Sequence, residues 1–484
     1  MYRKHWQTAV ALGFILASGL LFGLAVGRWL AENLYLASPL LLHWLPSAVI
    51  SVAAMASLLF ISVLALRRGR SRASLLAMVS CCLPLWLLAI YVLPREVNTV
   101  RGSVLVVGSL ILVAALSLAR LAPTRWRERG TLVVAFVFPL AVYLATLAPT
   151  VGQHDTFEFQ VLSYQLGIAH PTGYPLYIML GKLFTFLPLG NVAYRVNLSS
   201  AVFAAASVAL LYATIKLLTG DRWASLLAAL SFGFGCAFWS QAVEAEVYAL
   251  NALFVCALCY LLIRVSLGAR ANPSTSTRTT EDQTSRTSCT CLRQFSSRQR
   301  MVLLAAFVFG LSLTHHRTIL LLAPAILAYA IVNRGWQMLK VRHLAAVATA
   351  FLCPLLTIHL YIPVRWWQIH GQSMAWQQFA DLVLGRQFAA ALTWTAFLDD
   401  PLRPMILARS LVEQYPLPAL VLAAVGILCL LGRRAQQRAH GSWREALFLL
   451  LAFAAYSLFG LSYYVPDVSL FLICLLYTSD AADE

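Results

Sequence analysis

The chain has 484 residues, of which 60% are hydrophobic and only 11% charged, and it carries a net charge of +17. Soluble domains hold about 25% charged residues, so composition excludes a soluble globular protein and predicts an all-α polytopic membrane protein. The positive charge does not argue for nucleic acid. Its basic residues lie in short clusters between apolar runs, where they orient membrane helices, and no nucleic-acid motif accompanies them.

Taken in chain order, apolar runs of spanning character occupy 8–27, 46–66, 73–93, 102–119, 131–148, 198–215, 223–240, 248–265, 301–314, 318–333, 343–362, 415–432 and 445–463. That is about thirteen spans, the pair around His315 being short. The first run is long for a cleaved signal peptide and reads as a span. Residues 1–121 form an accessory four-span region with little polar content, and the core is expected to cover 131–473.

The core opens with "VGQHDTFEFQVLSYQLGIAHPTGYPLY", from Val151 to Tyr177. Asp155 lies just beyond a span, where a carboxylate stays ionised yet partly dry, as a general base requires; the plainer alternative is a helix N-cap. Glu158 falls one turn later on the same helical face. His170 precedes a Pro and is pushed to extended geometry, while Gly173 permits a tight turn. The apolar stretch that follows is too short to span and suits an interfacial or re-entrant helix with Lys182 snorkelling. Further on, "FWSQAVEAEVYALN" places Glu244 and Glu246 between two spans, with Glu246 the better site candidate.

The segment 266–300 is rich in Ser, Thr and Arg and is predicted to be a disordered cytoplasmic loop. After it, "LTHHRT" puts His315, His316 and Arg317 where polar residues are costly, which marks them as functional candidates. Two donors beside a guanidinium suit a phosphate; a polar turn touching lipid headgroups is the alternative. Zinc is disfavoured, because adjacent histidines do not easily face one metal. Arg365, followed by Trp366 and Trp367, reads as an interfacial belt or a second phosphate contact.

Cys81, Cys82, Cys236, Cys256, Cys259, Cys353 and Cys429 sit in apolar stretches, which is packing rather than a disulfide framework. Cys289 and Cys291 form an isolated C-x-C in the polar linker. The final "CLLYTSDAADE", residues 474–484, resembles translated sequencing-adapter read-through and is set aside.

Orientation follows from charge. With a cytoplasmic N-terminus, 26 of the 36 basic residues fall on the cytoplasmic side, as the positive-inside rule demands. The same assignment gathers Asp155, Glu158, His170, Glu244, Glu246, His315, His316, Arg317 and Arg365 at the other membrane face.

Together, "HDTFEFQVLSYQLGIAHPTGYPLYIMLGKLF", "YRVNLSSA", "EAEVYALN", "LTHHRT" and "YIPVR" resemble, in that order, the membrane protein family that includes the eukaryotic O-mannosyltransferase of plexin-type domains. The resemblance covers residues 131–390. The family motif has a glycine between its two acids where Phe157 stands here. That family is similar to the C-type glycosyltransferases. The resemblance implies a helical bundle with interfacial helices in the first outer loop of the core, a polyprenyl-phosphate sugar as donor, and a catalytic carboxylate at the position of Asp155. The expected activity is inverting transfer of a sugar, mannose by family inference, to a hydroxyl acceptor on a protein or glycan. Asp155 and Glu158 are the catalytic candidates, and His170, Glu246, His315, His316, Arg317 and Arg365 the substrate-binding ones. No cofactor or metal is expected, and the partners are the lipid-linked sugar, the acceptor and membrane lipid. The expected setting is a bacterial plasma membrane with the site extracytoplasmic. A transporter or flippase is the rival, but transporters place charge near the midplane on broken, repeated helices, and this chain shows no convincing repeat. A receptor for a lipid-linked glycan is a third reading.

Overall fold

The computed structural model describes residues 2–34, 44–67, 79–93, 99–121, 124–271, 296–333, 341–415, 417–432 and 442–463. Residues 474–484, and the C-x-C of Cys289 and Cys291, lie outside them. The described residues are helical apart from connecting turns and one isolated bridge between Leu392 and Tyr463. Contacts divide the chain into two units, 1–131 and 132–484.

In the first unit α1 (Tyr2–Leu34) packs on α2 (Trp44–Arg67). A Cβ on Gly23 would stand 2.3 Å from the Ser51 backbone, and one on Gly19 would stand 3.2 Å from that of Met55. Two glycines four residues apart thus let the helix backbones meet, as small residues do in membranes. A 3-10 turn (Leu83–Leu88) leads into α3 (Ala89–Val92), and α4 (Thr99–Leu121) follows. Arg28 joins Glu32 at 2.7 Å and the Tyr91 carbonyl at 2.8 Å, and the Tyr91 hydroxyl donates to Glu32 at 2.7 Å. Each partner is satisfied, so this is a clamp between α1 and α3.

The second unit is entered through α5 (Thr124–Thr146). Then come α6 (His154–Gln165), α7 (Pro175–Phe184), α8 (Val192–Thr219), α9 (Arg222–Gly233), α10 (Cys236–Ala242) and α11 (Val247–Ala271). Next are α12 (Ser297–Ser312), a 3-10 turn (Arg317–Leu322), α13 (Ala323–Val332), α14 (Val341–His359), α15 (Tyr361–His370) and α16 (Trp376–Leu384). The chain continues through α17 (Ala396–Asp399), α18 (Leu402–Gln414), α19 (Leu417–Gly432) and α20 (Trp443–Ser462). Its core centres on α8 and α11. Ala201, Ala204, Ala205 and Ser207 are fully buried on α8, and their small side chains bring the two helices close. Large apolar residues elsewhere, such as Leu327, Leu356 and Val421, face outward, as they should in lipid.

Six described helices are long and apolar enough to cross a membrane, or up to eight if each bent pair counts as one span. The expected count of thirteen is not reached by that test. Breaks account for part of the difference: α9 and α10 bend by 70°, and the expected spans 301–314 and 318–333 are short helices separated at the histidines. The predicted disordered loop is also narrower than 266–300. Helix α11 continues to Ala271, and α12 starts at Ser297, where Ser296 and Gln299 form a reciprocal capping box; such a box anchors a helix start even in a polar stretch. Residues 272–295 lie outside the described ones. The described cysteines form no disulfide with one another, in keeping with a packing role.

Candidate functional site

Gln153 occupies the N-cap of α6, so Asp155 is not the cap; it lies in the first turn, where the helix dipole favours an acid. The helix is fixed from below. Gln160 accepts from the Gly152 backbone at 3.1 Å and donates to Asn197 at 2.8 Å, and Asn197 in turn donates to the Ala148 carbonyl at 2.8 Å. The polar run "YRVNLSSA" on α8 thereby has its explanation: its buried amide and hydroxyls hold the loops above.

At its far end α6 stops with Leu166 in the left-handed region. Arg365 of α15 donates to the carbonyls of Gln165 and Leu166, and Tyr361 to that of Gly167 at 2.8 Å. Those carbonyls are the orphan acceptors of a helix terminus. Arg365 is therefore a clamp on α6, and its expected phosphate contact is not what the structure gives it.

The chain returns through "AHPTGYP". The Gly173 amide donates to the His170 carbonyl at 2.7 Å, Gly173 has φ +78°, and Tyr174 has φ +43°. A left-handed tyrosine is uncommon. It turns the ring inward before Pro175 starts α7.

This turn places His170 between both acids of α6. Glu158 accepts from the His170 backbone at 2.9 Å and pairs with its Nδ1 at 2.5 Å, while Nε2 lies 3.9 Å from Asp155. Burial works against charge on both partners. For Glu158 the hydrogen bonds and charge of His170 overcome it and hold the carboxyl below its usual range. For His170 the hydrogen bond and charge of Glu158, aided by Asp155 and Glu246, raise the imidazole above its usual range. Glu158, expected as a second catalytic carboxylate, has both oxygens committed to His170; it positions that ring. Asp155 alone is exposed, with 62% of its side chain accessible.

Glu246 precedes α11. Its backbone is tied to Ser200 in both directions, and its carboxylate accepts from Thr156 at 2.6 Å. Burial, with the charges of Asp155 and Glu244 adding, pushes its carboxyl up to about 7 against the Thr156 hydrogen bond.

The two histidines depart from expectation. His315 pairs through Nε2 with the Val247 carbonyl at 2.8 Å and stacks on Tyr177 with ring centres 5.7 Å apart. His316 lies against Thr318 through Nδ1 at 2.7 Å. Both are buried, and loss of water drives their pKa values down to about 4 and about 3. They are neutral at pH 7, so His316 does not add the positive charge expected of it beside Arg317. The charge rests on Arg317, which donates to the Leu384 carbonyl and keeps a buried Nε without a hydrogen-bond partner among the described residues.

Tyr174 was not picked out by sequence reasoning, and it is the hub. Its buried ring lies 5.1 Å from that of His170 and 6.1 Å from that of His316. Burial raises its hydroxyl pKa, as do the charges of Asp155 and Glu246, and Arg317 opposes them. Groups from α6, the α10–α11 loop and the α12 turn are thus all within electrostatic reach of one phenol. The signal in the sequence was a large residue wedged between Gly173 and Pro175.

Asp155, Glu158 and His170 also offer ligand atoms within 4.8 Å of one another. A cation there would compete with the Glu158–His170 hydrogen bond, so this donor set works first as a hydrogen-bonded pair beside a free carboxylate.

The bundle has the fold of ArnT from Cupriavidus metallidurans, solved bound to undecaprenyl phosphate: the two align at TM-score 0.50 and 13% identity, covering 74% of this chain and 60% of that one. Within the bundle, residues 155–340 match the family described as the protein O-mannosyl-transferase TMEM260 N-terminal domain. The mouse protein O-mannosyl-transferase TMEM260 is 32% identical over 248 residues, and its Dictyostelium discoideum counterpart 28% over 194. These alignments cover 49% and 40% of this chain but only 31% and 22% of those relatives, so the match spans less than a third of their length. Both are eukaryotic, and they lend nothing to the bacterial setting expected from the sequence.

Proposed function

We propose that the chain transfers a sugar, with mannose the first candidate, from a polyprenyl-phosphate donor to a hydroxyl acceptor at the extracytoplasmic face. The observation that carries this is the convergence of Asp155, the Glu158–His170 pair, Glu246 and Arg317 on Tyr174. The family match and the bundle support it. Asp155 takes the acceptor's proton as that oxygen bonds to the anomeric carbon from the face opposite the phosphate. The carbon–oxygen bond to phosphate breaks, its electron pair leaves on the phosphate, and the sugar inverts. Arg317 balances the charge that develops there, as fixed cations do in a water-poor site. Glu246, half protonated near pH 7, orients a sugar or acceptor hydroxyl. A monophosphate leaving group needs no metal when a guanidinium and a phenol face it, so dialysis against EDTA should leave the rate unchanged.

The test is the full-length protein in proteoliposomes, supplied with radiolabelled polyprenyl-phosphate mannose and a Ser/Thr peptide. Label appearing on the peptide supports transfer. Label carried into the lumen with no modified peptide replaces this function with transport.

A further inference from the structure

A cavity of about 470 Å³ opens between α11, α12, α13 and α14. It is remote from the acids. Glu246 and His315 lie at one end of α11 and α12, whereas this cavity reaches Ser266 and Arg298 at the other, about 28 Å along α11 at 1.5 Å per residue. Its volume lies within the range of small-molecule sites. Leu262, Phe309, Ile326 and Phe351 line its depth. Leu327 and Ile331, also on its wall, are 64% and 55% exposed, so the opening faces laterally, where lipid chains lie.

Only one end is polar. Gln299 pairs with His343 there at 3.1 Å, and beside them Arg298 keeps a buried Nε without a hydrogen-bond partner among the described residues. Loss of water is the only influence resolved on that guanidinium, and no carboxylate among the described residues answers it. A half-buried cation with no counter-ion among the described residues, at the mouth of an apolar hole open to the bilayer, has the shape and charge of an amphiphile's complement.

We infer that this cavity binds a membrane amphiphile, its hydrocarbon chain between α12 and α13 and its anionic phosphate head on Arg298. A phospholipid and a polyprenyl phosphate share that chemistry. The site does not depend on the proposed transfer reaction.

The experiment places the full-length protein in phosphatidylcholine nanodiscs doped with photoactivatable phosphatidylglycerol, or with photoactivatable phosphatidylcholine, and maps the labelled peptides. Phosphatidylglycerol should label α12 and α13 roughly tenfold above phosphatidylcholine, the scale of one charge-assisted pair. Arg298→Gln should erase that preference, and because Nε holds no hydrogen bond among the described residues the variant should fold. Ala306→Phe, which fills the hole, should remove labelling by both lipids. Polyprenyl phosphate competing away the label at equimolar ratio identifies the isoprenoid as occupant, and failure to compete identifies the phospholipid; each supports the site. Equal labelling by the two lipids in the wild type, or a preference that survives Arg298→Gln, overturns it.

Discussion

Tyr174 shows how much a single side chain organises. It sits in a left-handed turn between charges of both signs, and no hydrogen bond to its hydroxyl is present among the described residues. In the proposed reaction that hydroxyl is aimed at substrate. Tyr174→Phe keeps the ring and its packing, so the fold should persist while turnover falls about 10-fold or more, the scale of one lost transition-state hydrogen bond. Unchanged turnover would leave the phenol a packing group. Glu246 makes a separate prediction from pH. Its folded-state pKa, about 7, lies above the ordinary 4.5, so between those values the folded protein holds the proton that the unfolded chain gives up. Wild-type stability therefore falls as pH rises from about 4.5 to 7, by on the order of 3 kcal/mol at most. Glu246→Gln should remove that slope in thermal melts at pH 5 and pH 8; parallel pH dependence in both proteins would contradict it.

Helix α6 carries the acids, and its two ends are held by different means. The start rests on a buried amide network through Gln160 and Asn197, the end on Arg365 and Tyr361. Arg365→Gln frees two carbonyls and should cost about 1–3 kcal/mol, read as a lowered melting midpoint. Turnover should fall with it, but donor binding should change less than in Arg317→Gln, because Arg365 touches α6 and not the cluster. Equal loss of donor binding in the two variants would return Arg365 to the phosphate.

Much of this was open to view in the sequence. The acids, the "HPTGYP" turn and the break at His315 stand out because lipid-facing helices seldom carry such residues. What stayed hidden depends on partners distant in the chain. Whether Arg365 meets phosphate or a helix end is decided by where α15 crosses α6, and the charge of His316 is decided by the rings that bury it. Glu158 looked equivalent to Asp155, one turn away, until the backbone of residue 170 reached back to it.

At the scale of the whole chain, the arrangement separates two chemistries along the same helices. Acids, a histidine pair and Arg317 gather at one end of α11 and α12, and an apolar hole with one cation lies at the other. Positive-inside counting leads to the expectation that the acidic end is extracytoplasmic, the side on which the proposed reaction would meet its donor. Among the described residues, the gathered end is where an exposed carboxylate, a histidine–glutamate pair and a guanidinium come together.

The central claim is that Asp155 is the base of a sugar transfer. The measurement is single-turnover transfer of radiolabelled mannose from a polyprenyl-phosphate donor by wild type and Asp155→Asn, with donor binding recorded on the same preparations. Transfer should drop about 10²–10⁴-fold while donor binding and the melting midpoint stay within error of wild type. An Asp155→Asn protein that transfers at the wild-type rate would contradict the account.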